Sequence, residues 1–206
     1  MWAVTCGLLS QADRTPLNGG RMLPRLETPR LVLRQFDPSD WDAVKTMLCD
    51  PETTRYMHFA NFTDVERRQW FDRCVANEHQ PGDDDDALYW AIARKDSGHM
   101  IGWFGIGTSS DAAVPGERRF GYLLNRACWN QGYMTEALRA VLACEFGARG
   151  TPRLQATCDV TNLASARVME KAGMRREKTV YDADVDGNRV QRHHYAITKA
   201  ENEVRS

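Results

Sequence analysis

Residues 125–146, NRACWNQGYMTEALRAVLACEF, constrain this chain most, because they combine a tight turn with a long amphipathic helix. After the turn, apolar residues recur at helical spacing and form one stripe that a folded protein must bury: Met134, Leu138, Val141, Leu142 and Phe146. Gly150 and then Pro152 are typical of a helix end. The pattern therefore predicts a buried helix that begins just after Gly132 and ends before Gly150.

The start of this helix predicts an anion-binding site. The N–H groups of a first helical turn have no acceptor within the helix, and the helix dipole adds partial positive charge there. Gly132 has no Cβ, so a phosphate can approach its backbone closely. No Lys-Ser or Lys-Thr follows, so a nucleotide-hydrolysing P-loop is not supported. An ordinary strand-to-helix turn would explain the same residues.

Four stretches of the chain together are more specific than this helix alone. They are LETPRLVLR at 26–34, GYLL at 121–124, WNQGYMTEAL at 129–138 and NLASARVMEKAGM at 162–174. With these motifs the sequence resembles the GNAT N-acetyltransferase superfamily, and within it the RimJ/RimL type of ribosomal-protein N-terminal acetyltransferases. The resemblance covers residues 26 to about 199. It implies an α/β (α+β) fold with a mixed, mostly antiparallel seven-stranded sheet, about four helices, and fourth and fifth strands that splay apart around acetyl-CoA.

Local patterns predict the remaining elements. Alternating apolar residues predict strands near 31–36, 88–92, 100–107, 119–124 and 153–159, and two strands joined by a turn within 179–198. Capping residues predict helices that begin at Ser39, at the Thr63–Glu66 capping box and at Asn162. Pro81 and Gly82 are expected to end the second of these helices.

Length and composition predict one soluble domain. The chain has 206 residues and a net charge of −1, which gives no reason to expect nucleic acid as a partner, and no apolar run approaches a membrane span. We expect residues 1–24 to be a poorly ordered N-terminal extension and residues 25–206 to be a single N-acetyltransferase domain. Met22 is an alternative translation start, which N-terminal mass spectrometry would reject by finding residues 1–21. The six cysteines lack paired spacing, so we expect reduced thiols in a cytoplasmic monomer or homodimer.

The resemblance also implies how acetyl-CoA is bound. A backbone N–H at Leu123 or Leu124 polarises the thioester carbonyl, and Asn162 bonds the pantetheine arm. The pyrophosphate lies on the backbone N–H groups of the turn, at Gln131, Gly132, Tyr133, Met134 and Thr135. The family usually has Gly or Ala where this chain has Met134, so we expect tighter crowding at the phosphates. No metal is expected.

Proton transfer is assigned to fewer residues. Many superfamily members have a tyrosine seven positions after Asn162 that protonates the departing thiolate, but this chain has Met169 there. The resembling branch commonly has a serine at the position of Ser165, so Ser165 is the predicted proton donor. Ser165 and Asn162 are equally explained as a helix cap. Members of the resembling branch often have a glutamate that faces the cleft two residues before the position of Gly121, but this chain has Arg119 there. Glu117, two residues earlier on the same strand face, is the predicted base, acting through water, although a solvated carboxylate at a strand end is the more common role for such a residue.

Other base candidates are weaker. His193 and His194 lie in a predicted strand and point to opposite faces, and histidine titrates near neutrality. Glu136 is expected to complement the helix N-terminus instead. An α-amine has a pKa of about 7.7–8.0 and a lysine amine one of about 10.4, so an α-amine needs less help from a base. The sequence therefore favours a protein N-terminal α-amine as the acceptor.

Alternatives remain open at this point. The acceptor groove is expected at residues 50–63 and 181–192, which do not identify one substrate, so a small amine (amino acid, polyamine or antibiotic) is the first rival. A CoA-binding module without catalysis is the second, and a Cys–His hydrolase built on Cys128 or Cys158 is a distant third. The acidic run 83–86 is expected to be a solvated loop rather than a collar for cationic acceptors.

Overall fold

The computed structural model describes residues 14–16, 22–78, 87–108, 112–183 and 188–204. The strands in these residues are β1 Arg14–Pro16, β2 Met22–Pro24, β3 Leu26–Glu27, β4 Leu31–Arg34, β5 Leu88–Arg94, β6 Met100–Thr108, β7 Arg118–Leu124, β8 Arg153–Asp159, β9 Arg175–Ala183 and β10 Arg189–Thr198. The α-helices are α1 Trp41–Cys49, α2 Pro51–Thr54, α3 Asp64–Ala76, α4 Tyr133–Cys144, α5 Leu163–Lys171 and α6 Lys199–Glu203. Short 3-10 turns occur at Pro38–Asp40, His58–Asn61 and Arg126–Cys128, and a π-helical turn at Glu145–Arg149 follows α4.

One eight-stranded sheet holds the fold together, in the order β3-β4-β5-β6-β7-β8-β10-β9. Every neighbouring pair is antiparallel except β7 and β8, so the prediction of a mixed, mostly antiparallel sheet is confirmed. The described sheet has one strand more than predicted, because β3 pairs with β4 as a strand of its own. The described helices number six rather than about four, because α2 and α6 are single turns of four and five residues.

Apolar residues on the two faces of the sheet form two cores. Helices α4 and α5 cover one face, where Leu138 and Met169 pack with sheet residues that include Trp90 and Phe104. Helices α1 and α3 cover the other face, where Phe71 packs in a cluster with Trp103 and Leu123. Successive strand residues point to opposite faces, so β7 contributes Phe120 to the first core and Leu123 to the second.

Strands β7 and β8 are joined only where they begin. They pair in parallel at Arg118 with Leu154 and at Arg119 with Gln155, and the ladder then stops although both strands continue. This geometry confirms the predicted splay between the fourth and fifth strands of the family's sheet. Two ion pairs lie at the junction. Arg118 Nη1 donates to the fully buried carboxylate of Glu145 at 2.9 Å, and Arg153 donates to the fully buried Glu117.

Helix ends follow the capping signals in most places. Thr63 and Glu66 form the predicted capping box, Asn162 caps α5, and Gly150 takes a left-handed conformation (φ 69°) after the π-helical turn. Two predictions were wrong. The first helix is preceded by a 3-10 turn that Asp37, not Ser39, caps. Helix α3 ends before Pro81, because Asn77 takes the left-handed conformation (φ 59°) and closes it after Ala76.

Part of the expected N-terminal extension contacts the core. Strand β2 pairs antiparallel with β1, and Leu23 is buried. The Trp90 indole donates a hydrogen bond of 2.7 Å to the carbonyl of Pro24. The boundary at residue 24 stays a prediction, since the other residues before Met22 lie outside the described ones. The acidic run 83–86 also lies outside them, as do residues 184–187, within the segment where a turn between two strands is predicted. No described helix is long and apolar enough to cross a membrane.

The ion pair at the β7–β8 junction gives a stability prediction. Arg118→Met should lower the free energy of unfolding by about 1–3 kcal/mol, because the buried Glu145 carboxylate loses its buried charge partner and keeps, among the described residues, only Arg149, at 3.3 Å, and the Thr151 hydroxyl. Urea unfolding measures this loss. The double variant Arg118→Met/Glu145→Leu should lose less than the single variant, since no unpaired charge remains buried. Equal losses in both variants would show that packing, not charge, matters at this junction.

Candidate functional site

A cleft of about 260 Å³ opens where β7 and β8 diverge. One wall is β7, with Gly121 and Tyr122, and the opposite wall is β8, with residues 156–159. Helix α5 contributes Ser165 and Met169. The loop after α2 and strand β10 close the remaining sides, so the fold brings the predicted acceptor groove and the predicted catalytic serine to one cavity.

Beyond Arg119, the backbone groups of β7 that face this gap are not paired with β8. The Asn125 N–H donates to Ile101 O on β6 at 2.8 Å. Backbone N–H groups alternate in direction along a strand. The N–H of Leu123 therefore also points toward β6, and the N–H of Leu124 points toward the gap. The Leu124 carbonyl confirms this direction, because it accepts a hydrogen bond of 2.8 Å from the Trp129 indole rather than from β6. Of the two residues predicted to polarise a thioester, Leu124 is therefore the one whose N–H faces the gap.

Ser165 has a partner that the sequence did not reveal. The Tyr122 hydroxyl lies 2.9 Å from Ser165 Oγ and 3.3 Å from the Ser165 carbonyl. Burial raises the pKa of the Tyr122 phenol far above its ordinary value, against the opposing effect of the Ser165 hydrogen bond, so this hydroxyl stays protonated at neutral pH. Tyr122 belongs to the GYLL stretch, which predicts a strand and supports the family resemblance but assigns no role to this tyrosine. The alternation of side chains along that strand could have placed Tyr122 on the α5 side.

Asn162 acts as a cap and lines the cleft at the same time. Its Oδ1 accepts the Ser165 N–H at 3.1 Å, as the structural interpretation of this pair predicted. The side-chain NH₂ group of an asparagine retains two donors when its oxygen is used in this way. Met169, at the position of the family's tyrosine, is buried against the cleft and has no proton to give.

The turn before α4 has the geometry of an anion site. Gly132 is the N-cap in a left-handed conformation (φ 79°), and no side chain caps the helix. The first intrahelical bond runs from Glu136 N–H to Gly132 O at 3.0 Å, which leaves the N–H groups of residues 133–135 without an intrahelical acceptor. The Met134 side chain is buried in the core, and its crowding of the phosphates stays a prediction.

An arginine holds this turn in place. Arg30 Nη1 donates to the Gln131 carbonyl at 3.0 Å, and its guanidinium lies 4.4 Å from the centre of the Tyr133 ring. Glu136 accepts hydrogen bonds from Arg30 and from the Thr28 hydroxyl. Burial raises the pKa of Glu136, but these hydrogen bonds outweigh burial and hold the pKa below its ordinary value. Glu136 therefore stabilises the turn through Thr28 and Arg30. Arg30 is a site residue that the sequence indicated only by its place in the LETPRLVLR stretch.

The predicted bases do not lie at the cleft. Glu117 is fully buried, and its carboxylate accepts from Arg153 and from the Ala113 N–H. This arrangement favours a structural role over proton abstraction. His193 Nδ1 lies 2.8 Å from the Thr179 hydroxyl, and neither His193 nor His194 lines the cleft.

The cysteine chemistry gives no support to a hydrolase. Burial raises the pKa of the Cys158 thiol to about 11 and also raises the pKa of Cys128, so both stay protonated and weakly nucleophilic at neutral pH.

The described residues contain no group of three or more His, Cys, Asp or Glu that could hold a metal ion.

Comparisons with known proteins match this architecture. Residues 30–175 match the family profile of the acetyltransferase (GNAT) domain. The chain is 30% identical over 158 residues to the uncharacterized N-acetyltransferase YoaA of Bacillus subtilis (strain 168), and the alignment covers 76% of this chain and 85% of YoaA.

Two solved structures share the fold. One is the ribosomal-protein-S5-alanine acetyltransferase from Vibrio fischeri, with 19% identity and a TM-score of 0.64 over 85% of this chain and 96% of that one. The other is the aminoglycoside acetyltransferase AAC(6')-Ib in complex with coenzyme A and kanamycin. It has 20% identity and a TM-score of 0.67 over 85% of this chain and 99% of that one.

The lowered pKa of Glu136 gives a pH-dependent prediction. Its stabilising effect is fully present above the ordinary pKa of 4.5 and is lost as the pH falls through the lowered folded-state pKa. At neutral pH, Glu136→Gln should lower the free energy of unfolding by about 1–3 kcal/mol. The difference between wild type and variant should shrink below about pH 4.5 in urea unfolding. A difference that is independent of pH would contradict this assignment.

Proposed function

Because this chain belongs to the acetyltransferase (GNAT) family, we propose that it moves the acetyl group of acetyl-CoA to a primary amine by direct transfer in a ternary complex. The observation that carries the proposal is the gap between β7 and β8, toward which the Leu124 N–H and the Tyr122–Ser165 pair both face. Membership of the family makes the chain an acyltransferase, so the alternative of a binding module without catalysis is set aside.

The residues present fit acetyl-CoA along one line from the turn to the cleft. The uncapped N–H groups of the first turn of α4 would hold the pyrophosphate, and the absent Cβ of Gly132 leaves room for it. The pantetheine arm would pair with the open edge of β7 and with Asn162. The bound molecule supplies an activated acetyl group as a thioester. The Leu124 N–H would then stabilise negative charge that develops on the acetyl oxygen.

Ser165 is proposed as the proton donor for the departing thiolate. Its Oγ can accept the Tyr122 hydrogen and keep its own hydrogen directed into the cleft. Tyr122 is then a positioning residue, because it fixes the direction of the serine O–H without touching the substrate. Cooperative hydrogen bonding between the two hydroxyls strengthens the serine as a donor.

The acceptor is proposed to be a protein N-terminal α-amine. The carboxylate of Glu117 is engaged by Arg153, so the described cleft offers no glutamate base. An α-amine, with a pKa of about 7.7–8.0, is partly neutral at physiological pH without help from a base, whereas a lysine amine is almost entirely protonated. The fold is shared with an enzyme named for ribosomal-protein S5 alanine and with one bound to kanamycin. A small-molecule amine is therefore the second candidate.

We also propose that the protein works in the cytoplasm as a monomer or homodimer. Cys49, Cys74, Cys128, Cys144 and Cys158 are free thiols, four of them buried, which suits a reducing compartment.

Gly132 gives a test of the phosphate site. Gly132→Asp should raise the Kd for acetyl-CoA at least about tenfold, because it adds a side chain and negative charge where phosphate would bind. Calorimetric titration measures the Kd. Gly98→Asp is the matched control, since Gly98 has a similar positive φ of 70°, open space around it and a place in a turn after β5. Unchanged affinity in folded Gly132→Asp would refute the placement of the pyrophosphate.

Thiol release from acetyl-CoA tests the reaction itself. Peptides with a free N-terminal α-amine should support release, and the same peptides with a formylated N-terminus should not. Ser165→Ala should lower kcat by about tenfold to a hundredfold with little change in the KM for acetyl-CoA, because it removes the proton donor. Tyr122→Phe should lower kcat less, since Ser165 keeps its own hydrogen.

Ser97→Ala, in an exposed turn, is the control for Ser165→Ala and should leave kcat unchanged. If Ser165→Ala keeps the wild-type kcat, the serine is only part of the helix cap. If free and formylated peptides release thiol equally, the proposed acceptor is wrong.

A further inference from the structure

The side of the cleft away from α5 presents positive charge, and we propose that the acceptor carries a carboxylate close to its α-amine. Two kinds of molecule carry a carboxylate close to an α-amine: a free amino acid, and a peptide with an acidic residue next to its N-terminus. This inference rests on the proposed function, because it concerns the second substrate of the same cleft.

Two arginines line this cleft, and the sheet places one of them on the side away from α5. Cys158 on β8 packs in the core covered by α5, so the next residue along the strand, Asp159, points to the opposite face. Arg192 on β10 is paired with Asp159 in register and shares that face. Arg55, in the loop after α2, lines the same cleft.

Arg55 has no ion pair among the described residues, and Arg192 has a long one, with Asp182, that is not a hydrogen bond. Arg55 is exposed, lies 5.4 Å from the centre of the Tyr56 ring, and makes no ion pair with any residue that the structure describes. Arg192 is about three-quarters buried, and its nearest described carboxylate, on Asp182, is 3.7 Å from Nε. In the described part of the chain, Arg192 Nε is a buried donor without a hydrogen-bond acceptor. A buried donor of this kind needs an acceptor, and a ligand carboxylate would supply one.

The single carboxylate in the lining does not offset these charges. Asp159 Oδ1 already accepts the Thr161 N–H at 2.8 Å and the Thr161 hydroxyl at 2.6 Å. The described lining therefore has two arginines against one carboxylate that is engaged locally. A polycation such as a polyamine would meet like charge, while a carboxylate would find the planar donors that arginine offers.

The size of the cleft also limits the acceptor. Its volume of about 260 Å³ is below the range of about 300–1,000 Å³ typical of sites for drug-sized ligands. A contact of 3.2 Å between the Tyr56 and Thr161 hydroxyls bridges the loop after α2 and the turn after β8. The opening suits an amino acid or the first residues of a peptide.

Matched peptides test this inference. The tripeptide amides Ala-Asp-Ala, Ala-Asn-Ala and Ala-Lys-Ala differ mainly in the charge of the second residue. We expect kcat/KM for Ala-Asp-Ala to exceed that for Ala-Asn-Ala by about tenfold, or about 1.4 kcal/mol, and Ala-Lys-Ala to be the poorest. Free alanine against alaninamide shows whether the carboxylate can belong to the amino acid itself.

Charge-removing variants locate the effect. Arg55→Gln and Arg192→Gln should each remove most of the preference for Ala-Asp-Ala. Arg175→Gln, an exposed arginine on β9 that pairs with Glu201, makes the same change in net charge and should retain the preference. Equal or better turnover of Ala-Lys-Ala or putrescine would overturn the inference while leaving acetyl transfer intact.

Binding separates this inference from the proposed function. If no amine releases thiol, calorimetric titration of the CoA-loaded protein with Ala-Asp-Ala and Ala-Asn-Ala still measures the preference. Tighter binding of Ala-Asp-Ala, lost in Arg192→Gln, would support the acceptor class although the reaction differs. Equal binding of both peptides, or binding of neither, would refute it.

Discussion

The site depends on how β7 and β8 are joined. Two residue pairs hold the parallel ladder, and beyond them the strands separate and leave one edge of β7 open. The buried pairs Arg118–Glu145 and Glu117–Arg153 lie at this junction. Since losing one partner of a buried ion pair is far more costly than losing a surface pair, these contacts fix where the strands begin to diverge. The junction thus supplies rigidity that the missing ladder bonds would otherwise provide, and the open edge remains available to a ligand.

A second contact network keeps the anion site positive. A carboxylate at a helix N-terminus stabilises the helix but competes with a phosphate for the same field. Glu136 lies in the first turn of α4, yet its oxygens accept hydrogen bonds from Thr28 and Arg30 and so face away from the turn's free N–H groups. Arg30 balances its charge and also holds the Gln131 carbonyl. The turn is therefore held rigid without losing the positive potential that a pyrophosphate requires.

The sequence predicted what local chemistry determines. The apolar stripe of α4, the helix end at Gly150 and the Asn162 cap depend on neighbours in the chain, and all three were found as predicted. The role of Glu117 could not be read in this way, because its partner Arg153 is 36 residues away and is brought close by the parallel pairing of β7 and β8. Tyr122 was missed for the same reason, since its partner Ser165 lies on a helix that packs back over the strand only in the folded chain.

The absence of a glutamate base in the described cleft and the presence of two arginines act together on the choice of acceptor. Without a glutamate base, the enzyme depends more on the fraction of amine that is already neutral, which falls as the pKa of the amine rises. A carboxylate on the same carbon as the amine favours the protonated form by direct attraction, whereas one on the next residue does so less. Arg55 and Arg192 can bind either carboxylate, but only the more distant one leaves the α-amine easy to deprotonate. The two constraints together favour the N-terminus of a peptide with an acidic second residue over a free amino acid.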